Sequence, residues 1–239
     1  MQSSQPRTRD THSGGDPARN VGVEGEPIAG RFDARRQRQH PHGRHQFRLT
    51  RLGAVQDSSA MGSLLVVTGP PGAGKSTVSG LIADRFEWSA LVEGDALFSF
   101  LAAGAIEPWL PESHQQNEIV TDVVAAATAA FVAGGYDTVY DGVMGPWFLP
   151  AFARRLGLAE FDYVVLLPSE EQCVERVRTR LGHGFTDDAA ARSMHRQFDV
   201  DRAPNGHVIE GDHLDAEAIA DEVIQRRATG QLRIRSADL

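Results

Sequence analysis

The sequence predicts an α/β domain in which a five-stranded parallel sheet is covered by helices on both faces. Short apolar runs alternate along the chain with segments of helical periodicity, which is the order that a parallel sheet with crossover helices requires. A glycine-rich segment at residues 69–77 joins the first apolar run to the first helical segment. The chain has 239 residues, of which 41% are hydrophobic, and this is enough to bury one good core.

The five predicted strands are short and apolar, as strands buried on both faces of a parallel sheet are. The first strand is nearly continuous in leucine and valine and leads directly into the glycine-rich segment. The second and third strands each finish at an aspartate, Asp95 and Asp141. The strands are predicted at residues 63–68, 90–95, 138–141, 163–167 and 208–210.

Helical segments separate these strands. The first follows the glycine-rich segment and extends to about Phe86, with apolar residues at helical spacing. The second is alanine-rich and ends at Gly134 and Gly135. Its predicted apolar face consists of Ile119, Val120, Val123, Val124, Ala127 and Phe131. This second helix is predicted at residues 117–133, and three more are predicted at residues 169–180, 187–198 and 216–227. Residues 96–117 are predicted to be irregular.

The segment GPPGAGKST at residues 69–77 matches the phosphate-binding loop pattern GxxxxGK[ST]. A Gly/Pro-rich turn could contain Lys-Ser by chance, but a strand before it and a helix after it are the neighbours that the loop requires. Lys75 is the only lysine among 24 basic residues, and its ammonium reaches between phosphates where a guanidinium fits poorly. Backbone N–H groups would bind phosphate oxygens. The predicted nucleotide-binding residues are Gly69, Pro70, Pro71, Gly72, Ala73, Gly74, Lys75, Ser76 and Thr77.

Two aspartates follow predicted strands on the edge of the sheet where the loop lies. Ligands bind at the carboxyl ends of parallel strands, so both acids are candidate site residues. Asp95 could accept the proton of an attacking hydroxyl, could hold Mg²⁺ through water, or could only cap the helix that begins after it. Asp141 resembles the second acidic motif of nucleotide hydrolases, which favours a role in the Mg²⁺ shell over turn chemistry. The Ser76 hydroxyl is the other predicted Mg²⁺ ligand.

Paired arginines follow the fourth strand. Arg176 and Arg180 share one helix face just before Leu181-Gly182-His183-Gly184, and Arg192 and Arg196 repeat the spacing on the next helix. A solvated charged face is the ordinary explanation of such spacing. Two helices joined through Gly-His-Gly also describe a lid that closes over a triphosphate and excludes water. On that hypothesis Arg176 and Arg180 are catalytic.

Residues 1–60 are predicted to be a disordered tail. They hold ten arginines and six acids, a charge of +4, and lack a sustained apolar period. Because Met61 comes two residues before the first strand, the tail could instead reflect an over-extended gene start, with the folded domain at residues 61–239. The total charge of −8 leaves −12 on residues 61–239. A single cysteine, Cys173, and no apolar signal segment favour a cytoplasmic protein without a membrane anchor.

With loop, acid and lid located, residues 62–228 resemble the small-molecule P-loop kinases, the group of gluconate kinase, shikimate kinase and chloramphenicol phosphotransferase. The resemblance rests on GPPGAGKST at 69–77, EGD at 93–95 and RVRTRLGHGF at 176–185. It implies a P-loop nucleoside triphosphate hydrolase fold with a small helical lid. It also implies that Arg180 lies against the adenine or phosphates, that Arg176 faces the phosphates and that Asp95 meets the substrate hydroxyl.

The function expected from these features is transfer of the γ-phosphoryl group of ATP, with Mg²⁺, to a hydroxyl of a small molecule. Phe98, Trp109, Trp147 and Phe148 could line the acceptor pocket or belong to the core. A nucleic-acid end kinase is disfavoured because a folded part with charge near −12 repels a polyanion. A nucleoside or nucleotide kinase, and a regulatory module gated by slow ATP hydrolysis, remain alternatives. The acceptor and the oligomeric state are not determined by the sequence.

Overall fold

A computed structural model describes residues 61–179, 185, 187–200, 203 and 206–239 of the chain. All of them belong to the unit Phe47–Leu239. The predicted tail at residues 1–60 and the predicted site residue Arg180 lie outside the described residues. The disorder of the tail and the start at Met61 therefore stay predictions.

The described strands form one sheet with β1 at its centre. The five parallel strands are ordered β2-β3-β1-β4-β5, which confirms the predicted fold class. A sixth strand pairs antiparallel with the beginning of β4, and Phe161 lies opposite Ile234. The prediction missed it because its three residues, Arg-Ile-Arg, carry one apolar side chain. The strands are β1 Leu64–Thr68, β2 Ser89–Glu93, β3 Asp137–Asp141, β4 Glu160–Leu166, β5 Val208–Ile209 and β6 Arg233–Arg235.

Seven α-helices are described, and most agree with the predicted segments to within a few residues. Two were not predicted: the short α2, which takes up Gly94 and Asp95 from the end of the predicted second strand, and α4, which has a proline in its first turn and ends at Gly157 with φ 68°. The helices are α1 Lys75–Ala83, α2 Gly94–Phe98, α3 His114–Ala133, α4 Leu149–Leu156, α5 Glu170–Thr179, α6 Asp188–Val200 and α7 Ala216–Ala228.

The core lies on both faces of the sheet, because alternate residues of each buried strand point to opposite sides. Leu64 and Val66 of β1 pack with α3 and α4, whereas Leu65 and Val67 pack with α1 and α7. This arrangement confirms the prediction of helices on both faces. No described helix is long and apolar enough to cross a membrane.

Helix α3 is rotated relative to the predicted face. Ile119, Val123 and Phe131 are 57%, 48% and 43% exposed, whereas Thr121 and Thr128 are buried. The six apolar residues share one side of the helix as predicted, but only part of that side is buried. Apolar residues occupy most of the circumference of this alanine-rich helix, so hydrophobicity alone does not determine which side meets the sheet.

Candidate active site

The register of the sheet brings the ends of three strands to one level. Asp141 at the end of β3 lies between Val67 of β1 and Glu93 of β2. The amide of Met144 donates to the Thr68 hydroxyl over 2.7 Å, so the segment after β3 is tied to the end of β1. The loop that follows β1 and the segments that follow β2 and β3 therefore share one edge of the sheet.

The glycine-rich loop is held against β4 and α5. Gly69 approaches the end of β4 so closely that a Cβ there would lie 2.1 Å from the carbonyl oxygen of Leu166. Gly72 has φ +82°, and a Cβ there would lie 2.1 Å from the carbonyl oxygen of Cys173. Positive φ and this close approach both require glycine at position 72. The two carbonyls that set the loop's position belong to residues far away in sequence.

Helix α1 begins at the end of the loop. Gly74 is its N-cap residue, in the left-handed region at φ 90°, and no acidic residue lies in the first turn. The unpaired N–H groups and the positive end of this helix are thus available to an anion. The ammonium of Lys75, which is buried, donates to the carbonyl oxygen of Pro70 over 3.1 Å and so lies along the loop. Ser76 and Thr77 are exposed beside it.

Asp141 is a buried carboxylate that is not fully hydrogen bonded. Its Oδ1 has no hydrogen-bond partner within the described part of the chain. Burial raises the pKa of this carboxyl above its usual range, and the Lys75 ammonium and the Ser76 hydroxyl partly offset that rise. A buried acceptor oxygen next to a lysine and a serine suits a cation. Among the described residues no group of three His, Cys, Asp or Glu side chains could hold a metal alone.

Asp95 is exposed in the first turn of α2. The N-cap residue of this helix is Glu93, and no side chain makes a capping hydrogen bond, so the alternative that Asp95 is the helix cap is wrong. Burial raises the pKa of both Tyr140 and Asp141, and the negative charge of the Asp95 carboxylate adds to the rise at each of them. The carboxylates of Asp95 and Asp141 therefore belong to one electrostatic cluster.

Tyr140 is a site residue that the sequence did not reveal. Burial, together with Asp95 and Asp141, raises the pKa of its phenol well above the usual range. A Cβ at Gly94 or Gly142 would lie 2.5 Å or 2.3 Å from the tyrosine hydroxyl, so both glycines make room for the phenol. In the sequence Tyr140 looks like one more core residue of an apolar strand. The adjacent glycines after β2 and β3 were the available signal.

The predicted lid residues divide into three cases. Arg176 donates to the carbonyl oxygen of Gly72 over 3.4 Å and to Gln172 over 3.0 Å, beside the loop. Arg192 and Arg196 instead form ion pairs with Glu170, at 2.6 Å and 3.6 Å. The structure therefore brings Arg176, but not this second pair, to the loop. Arg180 lies outside the described residues, so its predicted role stays a prediction.

The four predicted pocket aromatics occupy different surroundings. Trp109 makes an edge contact with Phe185, at 4.8 Å between ring centroids. Phe148 stacks at 6.2 Å on His114, the first residue of α3. Trp147 contacts Phe198, and Phe98 and Phe148 also pack against the core. The rings of Trp109, Phe148 and His114 thus border the segments that follow β2 and β3.

Cys173 lies beneath the loop. Its thiol is buried, and burial raises the thiol pKa to about 11, so the thiolate is not formed near neutral pH. A thiol of this kind is unreactive. Its contribution is the backbone carbonyl that contacts Gly72.

Comparison with solved structures shows the same fold. The tunicamycin resistance protein of Deinococcus radiodurans matches with a TM-score of 0.51 at 17% identity, over 70% of this chain and 95% of that one. Shikimate kinase of Acinetobacter baumannii matches with a TM-score of 0.50 at 19% identity, over 73% of this chain and 97% of that one. A chain of the Pnkp1/Rnl/Hen1 RNA repair complex matches with a TM-score of 0.50 at 19% identity, over 63% of this chain and 48% of that one.

At these identities the structural matches establish the P-loop kinase fold and nothing finer. Among curated proteins, none matches this chain. A family model does match: the AAA domain model (AAA_33) covers residues 64–200, from the start of β1 through the loop, Asp95 and Asp141 to the end of α6. Because this match spans more than half of the chain and the described fold is that of a P-loop kinase, the chain belongs to the AAA domain family.

Proposed function

We propose that this protein transfers the γ-phosphoryl group of ATP to a hydroxyl of a small molecule. The observation that carries the proposal is the placement of Lys75, Ser76 and Asp141 together at the carboxyl edge of the sheet, with Asp95 exposed nearby. A loop and helix terminus suited to phosphates stand on one side, and a carboxylate reachable by an alcohol stands on the other. Phosphoryl transfer needs little more than positioning and charge stabilisation, which this arrangement supplies.

The phosphates would be bound by the loop and the start of α1. Backbone N–H groups at the beginning of α1 would donate to phosphate oxygens, and the Lys75 ammonium would stabilise the charge on the transferred group. Arg176, whose guanidinium lies on the loop, adds a second positive charge. ATP is preferred to GTP as the nucleotide because no Asn-Lys-x-Asp segment is present in a chain whose only lysine is Lys75.

Asp141 and Ser76 are the residues that would hold Mg²⁺, since Asp141 offers an unpartnered buried oxygen within the described chain and Ser76 an adjacent hydroxyl. The ion would neutralise charge on the phosphate oxygens. It also gives a physical reason for a carboxylate whose pKa is raised by burial: a nearby cation favours the ionised form.

Asp95 would act on the acceptor. The acceptor oxygen forms a bond to the γ-phosphorus while the bond from that phosphorus to the bridging oxygen breaks, and ADP leaves with the electron pair. The hydroxyl proton passes to the Asp95 carboxylate. A base of this kind contributes roughly 100- to 10,000-fold to the rate. Its exposure at the start of α2 leaves it accessible to a small alcohol.

Two alternatives are weighed by the same features. An end kinase for nucleic acid has a fold neighbour in the RNA repair complex, but that likeness is one of fold, and the charge of −12 on residues 61–239 disfavours a polyanion. A regulatory module gated by slow ATP hydrolysis would use the loop without Asp95. Asp95→Asn separates the two classes, because a kinase loses transfer but keeps ATP binding, whereas a gated module keeps its partner response.

The test is ATP consumption by the full chain with a panel of sugars, amino sugars, nucleosides and hydroxylated antibiotics, with Lys75→Ala as the blank. Stimulation by one compound class that disappears in Lys75→Ala, and that falls at least 100-fold in Asp95→Asn, supports a kinase. Hydrolysis that no acceptor changes, and that Asp95→Asn leaves intact, contradicts it.

A further inference from the structure

The part of the chain that would meet the acceptor contains no basic side chain other than histidine. Between Arg85 and Arg154 the sequence has neither lysine nor arginine, and this whole stretch lies within the described residues. The same stretch carries nine acids: Glu87, Glu93, Asp95, Glu107, Glu112, Glu118, Asp122, Asp137 and Asp141. No other part of the chain has so long a run with acidic residues and without lysine or arginine, because arginines are frequent elsewhere.

This stretch forms one part of the fold, in which β2 pairs with β3 and α3 packs against α2. It supplies β2, α2, α3 and β3 together with the segments that follow the two strands. Three of its acids lie where these strands end. Glu93 is the last residue of β2, Asp141 is the last residue of β3, and Asp95 comes two residues after β2, in α2. An acceptor hydroxyl that reaches Asp95 therefore approaches through surroundings made from this basic-free stretch.

Five described arginines that follow the stretch in sequence are engaged by other groups. Arg176 donates to Gly72 and Gln172 at the loop. On the segments around it, Arg178 pairs with Asp188, and Arg192 and Arg196 share Glu170. On α4, Arg155 pairs with Asp122 over 2.9 Å. These five arginines are thus directed to the loop or to the protein's own side chains, whereas Arg154 is exposed on α4.

We infer that the acceptor is an alcohol that carries no carboxylate or phosphate group, either neutral or cationic. The inference deepens the proposed function and rests on it. An anionic group beside Asp95, Glu93 and Asp141 would face like charges, and the cation that acts on this cluster, Lys75, donates to the loop and would be occupied by phosphate. One like-charge pair at an effective dielectric constant near 20 already costs about tenfold in affinity at roughly 12 Å. The Trp109 and Phe148 rings offer a neutral molecule an apolar surface and a cation a favourable aromatic face.

The experiment compares scaffolds that differ only in charge. The full chain is mixed with Mg-ATP and one compound from a sugar set (glucose, glucosamine, glucuronate) or a nucleoside set (uridine, uridine monophosphate). The Lys75→Ala protein serves as the blank for each compound. The quantity measured is kcat/KM for ATP consumption. If the protein phosphorylates one of the two sets, we expect kcat/KM to be at least tenfold higher for the member without a carboxylate or phosphate. A rise of KM with salt for glucosamine but not for glucose marks a cationic acceptor.

A charge-insertion pair adds a test on the protein. His114 lies at the start of α3, 72% exposed and stacked on Phe148, and Gln115 is the next, exposed residue. His114→Arg places a permanent positive charge beside the acceptor segments and is expected to raise kcat/KM several-fold for the anionic members. Gln115→Arg adds the same formal charge, but its side chain leaves the helix about 100° away from that of residue 114. This variant is expected to leave the preference between charged and uncharged acceptors unchanged.

The outcomes separate the inference from the proposed function. An anionic member used better than its uncharged counterpart by the unmodified protein overturns the inference and leaves a kinase. A failure of His114→Arg to shift the preference beyond the Gln115→Arg control, with both variants folded, also overturns it. If neither these compounds nor the wider panel used to test the proposed function stimulates ATP consumption while the nucleotide still binds, the proposed function is overturned and the inference with it.

Discussion

Arg176 donates to the carbonyl oxygen of Gly72 over 3.4 Å, so that helix α5 and the glycine loop are joined by a charged side chain. The same guanidinium is the nearest group to Gly74, where a Cβ would lie 3.8 Å from its Nη1. A positive charge is thereby held against the outer side of the loop that would receive phosphates. The contact links two segments that are about a hundred residues apart in sequence.

Replacing Arg176 tests whether this contact serves catalysis. We expect Arg176→Ala to lower ATP turnover by roughly 10- to 100-fold, because a positive charge near the developing phosphate charge is lost. Thermal stability should change little, since the side chain is exposed. The matched control is Arg178→Ala on the same helix, whose pairing with Asp188 is also exposed. Equal turnover in the two variants would contradict a role for Arg176 at the phosphates.

Gly72→Ala should disrupt the loop. The substitution combines a positive φ with a Cβ placed 2.1 Å from the Cys173 carbonyl oxygen, and backbone strain of this kind costs about 1–3 kcal/mol. The free energy of unfolding, measured by chemical denaturation, and the affinity for ATP should both decrease. Gly80→Ala, inside α1 with no atom within 4 Å of the new Cβ, is the control and should stabilise the protein by about 0.5–1 kcal/mol. A Gly72→Ala protein as stable as the parent would show that the loop adapts.

Asp141→Asn should change how stability depends on pH. The pKa of Asp141 is raised in the folded protein above its ordinary value of 3.8, so its charged form is disfavoured by folding. The associated stability is present below about pH 4 and is lost as the pH rises through the folded-state pKa. Relative to the parent, Asp141→Asn should therefore gain stability from about pH 4 towards neutral pH, in urea unfolding without added metal.

The same variant should lose at least about 100-fold in Mg²⁺-dependent ATP turnover, because the amide cannot supply the negative charge that a divalent ion requires. Asp137→Asn, at the opposite end of β3, is the comparison. Unchanged turnover in Asp141→Asn would contradict the assignment of Asp141 as a metal ligand. A stability difference that does not vary with pH would contradict its raised pKa.

The sixth strand depends on a buried acid. Asp162, 3% exposed, accepts from Arg227 over 3.0 Å and from Arg233 over 2.8 Å, and so ties α7 and β6 to β4. Asp162→Ala leaves Arg227 with little solvent access and should cost about 3–5 kcal/mol of unfolding free energy. Glu160→Gln, which removes an exposed partner of Arg233, should cost less than about 1 kcal/mol. Similar losses in the two variants would show that burial does not distinguish them.

The loop and its neighbouring strand and helix could be predicted because each depends on a local pattern. The residues from Gly69 to Thr77 form a motif whose spacing is set by phosphate geometry, and β1 reads as a continuous apolar run. Asp95 and Asp141 were located as acids following strands, which was enough to place them on one edge of the sheet. The predicted limits of α3 and α5 were also close to those observed.

Other features depend on residues that are far apart in sequence. Tyr140 between Gly94 and Gly142, the carbonyl of Cys173 against Gly72, and the antiparallel β6 all require a partner that local pattern does not specify. The rotation of α3, which leaves Ile119 exposed, is decided by how the helix fits the sheet and α4. Arg192 could not be separated from Arg176 by spacing, because the position of Glu170 decides the pairing.

The sequence by itself determined the fold class, the phosphate loop and the acids that follow β2 and β3, because hydrophobic periodicity and motif spacing are properties of contiguous residues. It also contained the lack of lysine and arginine between Arg85 and Arg154. Only the tertiary structure paired β2 with β3, buried Asp141 beside Lys75 and set Arg176 on the loop. Burial, distance and the charge that a carboxylate feels arise when separate segments pack together, and no local pattern encodes them.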